Sequence, residues 1–294
     1  MSTYISHALT HLRFSFSIFL LPVFLFALSG VREIDWSGAA IAFVVLHLLI
    51  YPASNGYNSL MDRDTGSIGG IKNPPKAPPL LFPLSLFMDV LGLLLTLAWN
   101  PYAALVLLLY ILASRAYSWR KIRLKRLPWI GFITVVVFQG AVVYFYTVIM
   151  SDSLSLTITH LPLEIQAGMW ISSLMIAASY PLTQVYQHQQ DAEDGVTTLS
   201  MYLGKVGTFN FSIILFIIFT AMLFAYIGIF GRLYDLLIYL VLTTPSAVHL
   251  FSWYRKVVLD PSRANFENSM RMSFLGAAGL NLFFLYMLLA VQIF

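Results

Sequence analysis

Two stretches of the chain set tyrosines, amides and acids at one spacing. YPASNGYNSLMDRDTG runs from Tyr51 to Gly66, and YPLTQVYQHQQDAEDG from Tyr180 to Gly195. Tyr-Pro opens both, and glycine closes both. Between them come a hydroxyl (Ser54 or Thr183), an amide (Asn55 or Gln184), a tyrosine (Tyr57 or Tyr186) and a second amide (Asn58 or Gln187). An aspartate follows (Asp62 or Asp191), then a further acid (Asp64 or Glu193). On a helix each residue advances about 100°, so Tyr51, Asn55, Asn58 and Asp62 fall within roughly 60° of one another. Tyr180, Gln184, Gln187 and Asp191 do the same. Each stretch is therefore expected to present one polar stripe, with His47 one turn ahead on the first. Stripes of this kind serve as interhelical hydrogen-bonding glue. A matched pair, each ending in acids and glycine, points to a shared internal site.

The elements that must position these stripes are set by the composition. Of 294 residues 59% are hydrophobic and only 10% charged, against about 25% charged in a soluble domain. So few charges cannot cover a water-facing surface, and the solvent is expected to be lipid. Apolar runs of about 20 residues span a bilayer. They lie near 14–31, 37–58, 79–98, 101–118, 127–150, 166–187, 207–229, 233–254 and 270–293. The expected fold is all-α: one domain over 1–294, a multi-pass transmembrane bundle of about nine helices, two similar halves around a central cavity. A polar stripe facing acyl chains would be costly, so both stripes should face that cavity.

Charge placement supports the same picture. All 17 lysines and arginines except Arg32 and Arg232 fall on one side of the expected spans. This predicts a cytoplasmic N-terminus and cytoplasmic motif loops. The net charge of +4 then reflects topology, and nucleic acid is not an expected partner. There is no cysteine, which excludes disulfides, thiolate metal sites and cysteine nucleophiles. The first apolar run is too long for a signal-peptide core and reads as a retained helix. Residues 64–79 are rich in Gly and Pro beside the first acids and are expected to cap a polar headgroup. Asp89 is an intramembrane acid, open to a functional role or a hydrogen bond to a neighbouring helix. His47 and His249 read as core histidines, and His188 as a possible substrate contact.

These motifs resemble the UbiA superfamily of intramembrane prenyltransferases. That family carries N-D-x-x-D-x-x-x-D at the end of its second helix. It carries D-x-x-D-x-x-x-D, or a close variant, at the end of its sixth. Gly195-Val-Thr-Thr-Leu through Gly204 resembles the family's G-x-x-T-L…L-G tail. Tyr117-Ser118 with Arg123-Leu-Lys125-Arg126 resembles its tyrosine-and-basic segment after the fourth helix. The resemblance covers nearly the whole chain, with departures. In the first motif Asn58 and Asp62 match, while Ser59 and Gly66 stand where aspartates would. The second motif fits in two registers. One uses Asp191 and Asp194, with Thr198 in the last place. The other ends at Asp191, with Gln184 and Gln187 in the earlier places.

The resemblance implies an Mg²⁺-dependent enzyme that moves an isoprenoid group from a prenyl diphosphate to a lipophilic, aromatic acceptor. It implies metal ligands among Asn58, Asp62, Asp191 and Asp194, with Asn55, Gln184 and Gln187 completing the catalytic face. Lys72, Lys76, Tyr117, Arg123 and Lys125 would meet the diphosphate. The bacterial inner membrane is the expected location. A terpene cyclase on the same scaffold, or a non-catalytic isoprenoid or quinone binder, is the alternative. Acceptor, chain length and oligomeric state are not encoded in these motifs.

Overall fold

The computed structural model describes residues 2–63, 66–152 and 161–293. It is built from helices: α1 (Ser2–Leu12), α2 (Leu21–Ser29), α3 (Trp36–Asp62), α4 (Leu81–Trp99), α5 (Pro101–Ser118), α6 (Pro128–Ser151), α7 (Leu163–Ser179), α8 (His188–Glu193), α9 (Leu199–Phe230), α10 (Leu233–Leu259) and α11 (Phe266–Ile293). Among the described residues seven helices are long and apolar enough to cross a membrane. Counting Tyr4–Phe19 with Leu21–Ser29, a pair bent by 41°, makes eight. At 17 residues, α7 stands at the lower limit of about 17 for a span and fills the sixth expected position. The expectation of about nine helices agrees with this architecture. Side chains that would be misplaced in water lie on the outside, Leu237 being 66% and Val241 70% exposed. Lipid is the solvent that tolerates them, and the chain is an integral membrane protein.

Local sequence explains the start of several helices. Asp35 accepts from the backbone N–H of Ser37 at 3.0 Å and of Gly38 at 3.3 Å, capping α3. Asn100 does the same for α5, accepting from Tyr102 and Ala103, and Pro101 occupies the first turn, where its missing N–H is harmless. The hairpin at Asn100-Pro101 follows directly. The first apolar run differs from a single straight helix. Arg13 takes the left-handed conformation (φ 49°), and a 3-10 stretch, Phe14–Phe19, separates α1 from α2.

The two Tyr-Pro segments fold differently. Proline lacks an N–H and its ring crowds the carbonyl four residues back. In α3 the stretch just before Pro52, Val44–Ile50, is a π-helix. That wider turn makes room for the ring, and the helix runs on to Asp62. No π-turn precedes Pro181. Instead the Ser179 hydroxyl donates to the carbonyls of Met175 (2.9 Å) and Ile176 (3.3 Å), and α7 stops. A 3-10 turn, Tyr180–Thr183, leads through turns to the short α8. The expectation of a second continuous helical stripe through Asp191 is therefore corrected. The residues of that stripe are delivered by a broken segment.

Candidate functional site

One cavity of about 210 Å³ is lined by both motif segments. Asn55, Asn58 and Asp62 reach it from the last turns of α3. Tyr180, Gln184, Gln187 and Asp191 reach it from the broken segment after α7. Ser114 and Tyr117 of α5 and Lys125 of the following connection complete the polar wall. The two stripes meet, although only one of them is helical.

At the centre is a buried charge network. Lys125 Nζ lies 2.5 Å from Asp62 Oδ1, and both side chains are under 10% exposed. Asn58 donates to Asp62 Oδ2 at 2.8 Å and accepts from Ser118 Oγ at 2.8 Å. The Arg123 guanidinium is 3.7 Å from Asp62 and pairs closely with Asp194. Arg120 also bonds Asp194 at 3.0 Å, and it donates to the Met61 carbonyl at 2.6 Å. The connection between α5 and α6 thus ties the two acidic segments together.

This network sorts the candidate ligands. Burial works against the Asp194 charge, yet the Arg123 and Arg120 guanidiniums hold its carboxyl below the usual carboxylate range. Asp194 does not line the cavity. Asp191 does, and among the described residues it makes no ion pair within 4.0 Å. Burial pushes its carboxyl up to about 6. Lys125 pulls the other way, and Asp62 and Asp194 add to the rise. All members of the register ending at Asp191, with Gln184 and Gln187, line the cavity; of the other, Asp191 and Thr198 do and Asp194 does not. Asp64 lies outside the described residues.

Hard donors dominate the remaining wall. Gln184 gives its amide N–H to the Tyr180 hydroxyl at 2.9 Å. Its Oε1 is buried with no hydrogen-bond partner among the described residues, an acceptor that calls for a cation or a donor. No group of three His, Cys, Asp or Glu side chains converges among the described residues. A metal here would rest on Asp62 and Asp191 with amide oxygens, and water or ligand oxygens would fill the rest. That donor set fits Mg²⁺ shared with a polyphosphate, and it does not fit a soft or caged metal.

Other expected residues fall in different places. Lys72 makes an exposed ion pair with Glu267 at 2.5 Å, and Lys76 is exposed; neither lines the cavity. The other end of this loop does cover the cavity. Ile68 and Gly69 line it, Gln187 donates to the Ser67 carbonyl at 3.3 Å, and Gly70 (φ 84°) makes the tight turn between Ile68 and Ile71. Asp89 pairs with Arg115, whose guanidinium lies over the Tyr57 ring at 4.1 Å. It is a structural bridge between α4 and α5. His47 is buried against Phe43 and Phe24, His249 meets the Asn268 carbonyl at 3.1 Å, and His188 contacts the Ser200 hydroxyl at 2.7 Å. None of the three lines this cavity.

Arg13 and Gln139 are among the lining residues that sequence reasoning missed. Arg13 had read as a topology charge. It turns inward at its left-handed kink and donates to the carbonyls of Asn55 (3.2 Å) and Gly69 (3.3 Å). Gln139 sits on a second π-helix, Val137–Val142, and its signal was a lone amide inside an apolar run. Tyr180 opens the second motif, and its hydroxyl contacts that of Tyr117.

A second, apolar chamber of about 210 Å³ adjoins the first, between the kinked N-terminal pair, α7, α9 and α11. Phe16, Asn55, Gln139, Tyr180 and Thr183 line both, so the two share a wall.

Several solved structures share this architecture. A UbiA homologue from Archaeoglobus fulgidus bound to GPP and Mg²⁺ aligns with a TM-score of 0.69 at 16% identity, covering 98% of this chain and 100% of that one. A UbiA homologue from Aeropyrum pernix K1 aligns at 0.66 and 17% identity, covering 91% and 97%. A digeranylgeranylglyceryl phosphate synthase aligns at 0.61 and 18% identity, covering 98% and 99%. At these identities the likeness concerns the fold. Among curated protein sequences none matches the chain. The model of the UbiA prenyltransferase family matches residues 18–275. The chain belongs to the UbiA prenyltransferase family.

Proposed function

We propose that the chain is a membrane prenyltransferase that moves an isoprenoid group from a prenyl diphosphate to a lipophilic, aromatic acceptor. One observation carries this reading: a chamber holding Asp62, Asp191, Lys125 and Arg13 lies directly against an apolar one, with Asn55, Gln139 and Tyr180 in both walls. That is the shape of a molecule with an anionic head and a hydrocarbon tail. Homologues of the same fold bound to DMAPP or GPP with Mg²⁺ support it.

In the reaction the bond between the allylic carbon and the diphosphate oxygen breaks, and diphosphate leaves with the electron pair. A ring carbon of the acceptor attacks the allylic carbon, and the ring then loses a proton to the released diphosphate. Asp62 and Asp191, with Asn58, Gln184 and Gln187 beside them, would hold Mg²⁺, which would supply Lewis-acid stabilisation of the diphosphate leaving group. Lys125 and Arg13 supply fixed positive charge to the same oxygens, and Arg123 acts from behind Lys125. Tyr117 and Tyr180 offer ring faces to the allylic cation. The loop at Ile68 and Gly69 covers the chamber and excludes water, which would otherwise capture the cation. The whole of 1–294 forms one unit. It sits in a bacterial inner membrane with the N-terminus, basic connections and chamber mouth cytoplasmic, as the lysine and arginine bias directs.

Membranes given prenyl diphosphates should form prenylated aromatic products with Mg²⁺ and none with a chelator. A hydrocarbon product from donor alone would indicate cyclisation, and binding without turnover a carrier. Metal affinity should also follow the Asp191 proton. With its carboxyl raised to about 6, the ligand is ionised above that pH and protonated below it. Mn²⁺ titration should show affinity falling by about tenfold per pH unit below that value. A flat profile would remove Asp191 from the metal site.

A further inference from the structure

Gly276 occupies the interior of α11, where glycine is, after proline, the residue a helix tolerates least. Packing does not demand it. A Cβ at Gly276 would meet no heavy atom within 4 Å, whereas one at Gly279, a turn further on, would lie 2.5 Å from the Leu242 carbonyl oxygen of α10. Gly279 is small because two helices touch there. Gly276 is small beside empty space, and that space is the apolar chamber, which it lines with Met175, Phe216 and Leu280.

We propose that Gly276 is a specificity-determining residue that keeps the apolar chamber wide enough for a donor tail of several isoprene units. This rests on the prenyl-transfer reading above. The polar chamber takes the diphosphate and the first isoprene unit. The remainder of the tail passes Tyr180 and Thr183, which line both chambers, and lies along α11. A large side chain at 276 fills that path without touching the charged groups.

The test compares dimethylallyl diphosphate, which ends within the first chamber, with geranylgeranyl diphosphate, which does not. Gly276→Phe should keep transfer from the short donor within about threefold and lose the long one by about tenfold or more, read as the ratio of kcat/KM. Gly228→Phe is the control. Gly228 also has no atom within 4 Å of its Cβ but is exposed on the outer face of α9, and its ratio should stay at the wild-type value. Thermal stabilisation by each diphosphate gives the same comparison without an acceptor. An unchanged ratio in Gly276→Phe, or equal loss of both donors, overturns the assignment and leaves prenyl transfer standing. Wild-type protein stabilised by neither diphosphate overturns both.

Discussion

Asp191→Asn should abolish metal-dependent prenyl transfer, lowering turnover by about a thousandfold, or ~4 kcal/mol of transition-state stabilisation. The substitution keeps size and hydrogen bonding and removes one charge. The cavity has little charge to spare. Both oxygens of Asp62 are engaged, one by Lys125 and one by Asn58, and Asp194 is held by two arginines outside the cavity. Among the described residues Asp191 is the lining carboxylate with no such ion pair, so metal affinity should depend most on it. Asp194→Asn is the informative comparison. It should weaken the link between the α5–α6 connection and the second motif while metal binding persists. Single-turnover rates and Mn²⁺ affinity measured on both variants decide the matter. Full turnover in Asp191→Asn would refute the assigned role.

Lys125→Met should destabilise the protein by about 3 kcal/mol, because it strands a buried carboxylate. Asp62 and Lys125 are each under 10% exposed, so water replaces the lost partner only poorly. Arg123, 3.7 Å away and committed to Asp194, offers partial compensation. The double variant Asp62→Asn with Lys125→Met should recover most of the loss, since no unpaired charge then remains. Thermal unfolding in detergent checks both. A single variant as stable as the parent would show that the pair is solvated.

The membrane class, helix order and meeting of the two motifs were legible in the sequence, because each rests on patterns along the chain. Apolar length marks α3 to α6 and α9 to α11, and the matched spacing of Asn55, Asn58, Asp62, Gln184, Gln187 and Asp191 marks the cavity. What escaped depends on contacts across the chain. Arg13 looks like any charge at the mouth of a span until a left-handed turn aims it inward. Lys72 and Lys76 sit in a promising loop, yet only that loop's other end reaches the chamber. Asp194 shares the acidic cluster but is claimed by arginines from another connection. Spacing places a residue on a face, and only packing tells which neighbour takes its charge.

The unlike fates of Pro52 and Pro181 give the chamber a stiff wall and a jointed one. Asp62 rides on a rod, a helix that runs on past Pro52 to its last turn. Asp191 hangs from an articulated strut, where a few dihedral changes shift it without unwinding a span. Adjustment to head groups of different reach therefore belongs to the strut, while the rod keeps the reference point against which that reach is gauged.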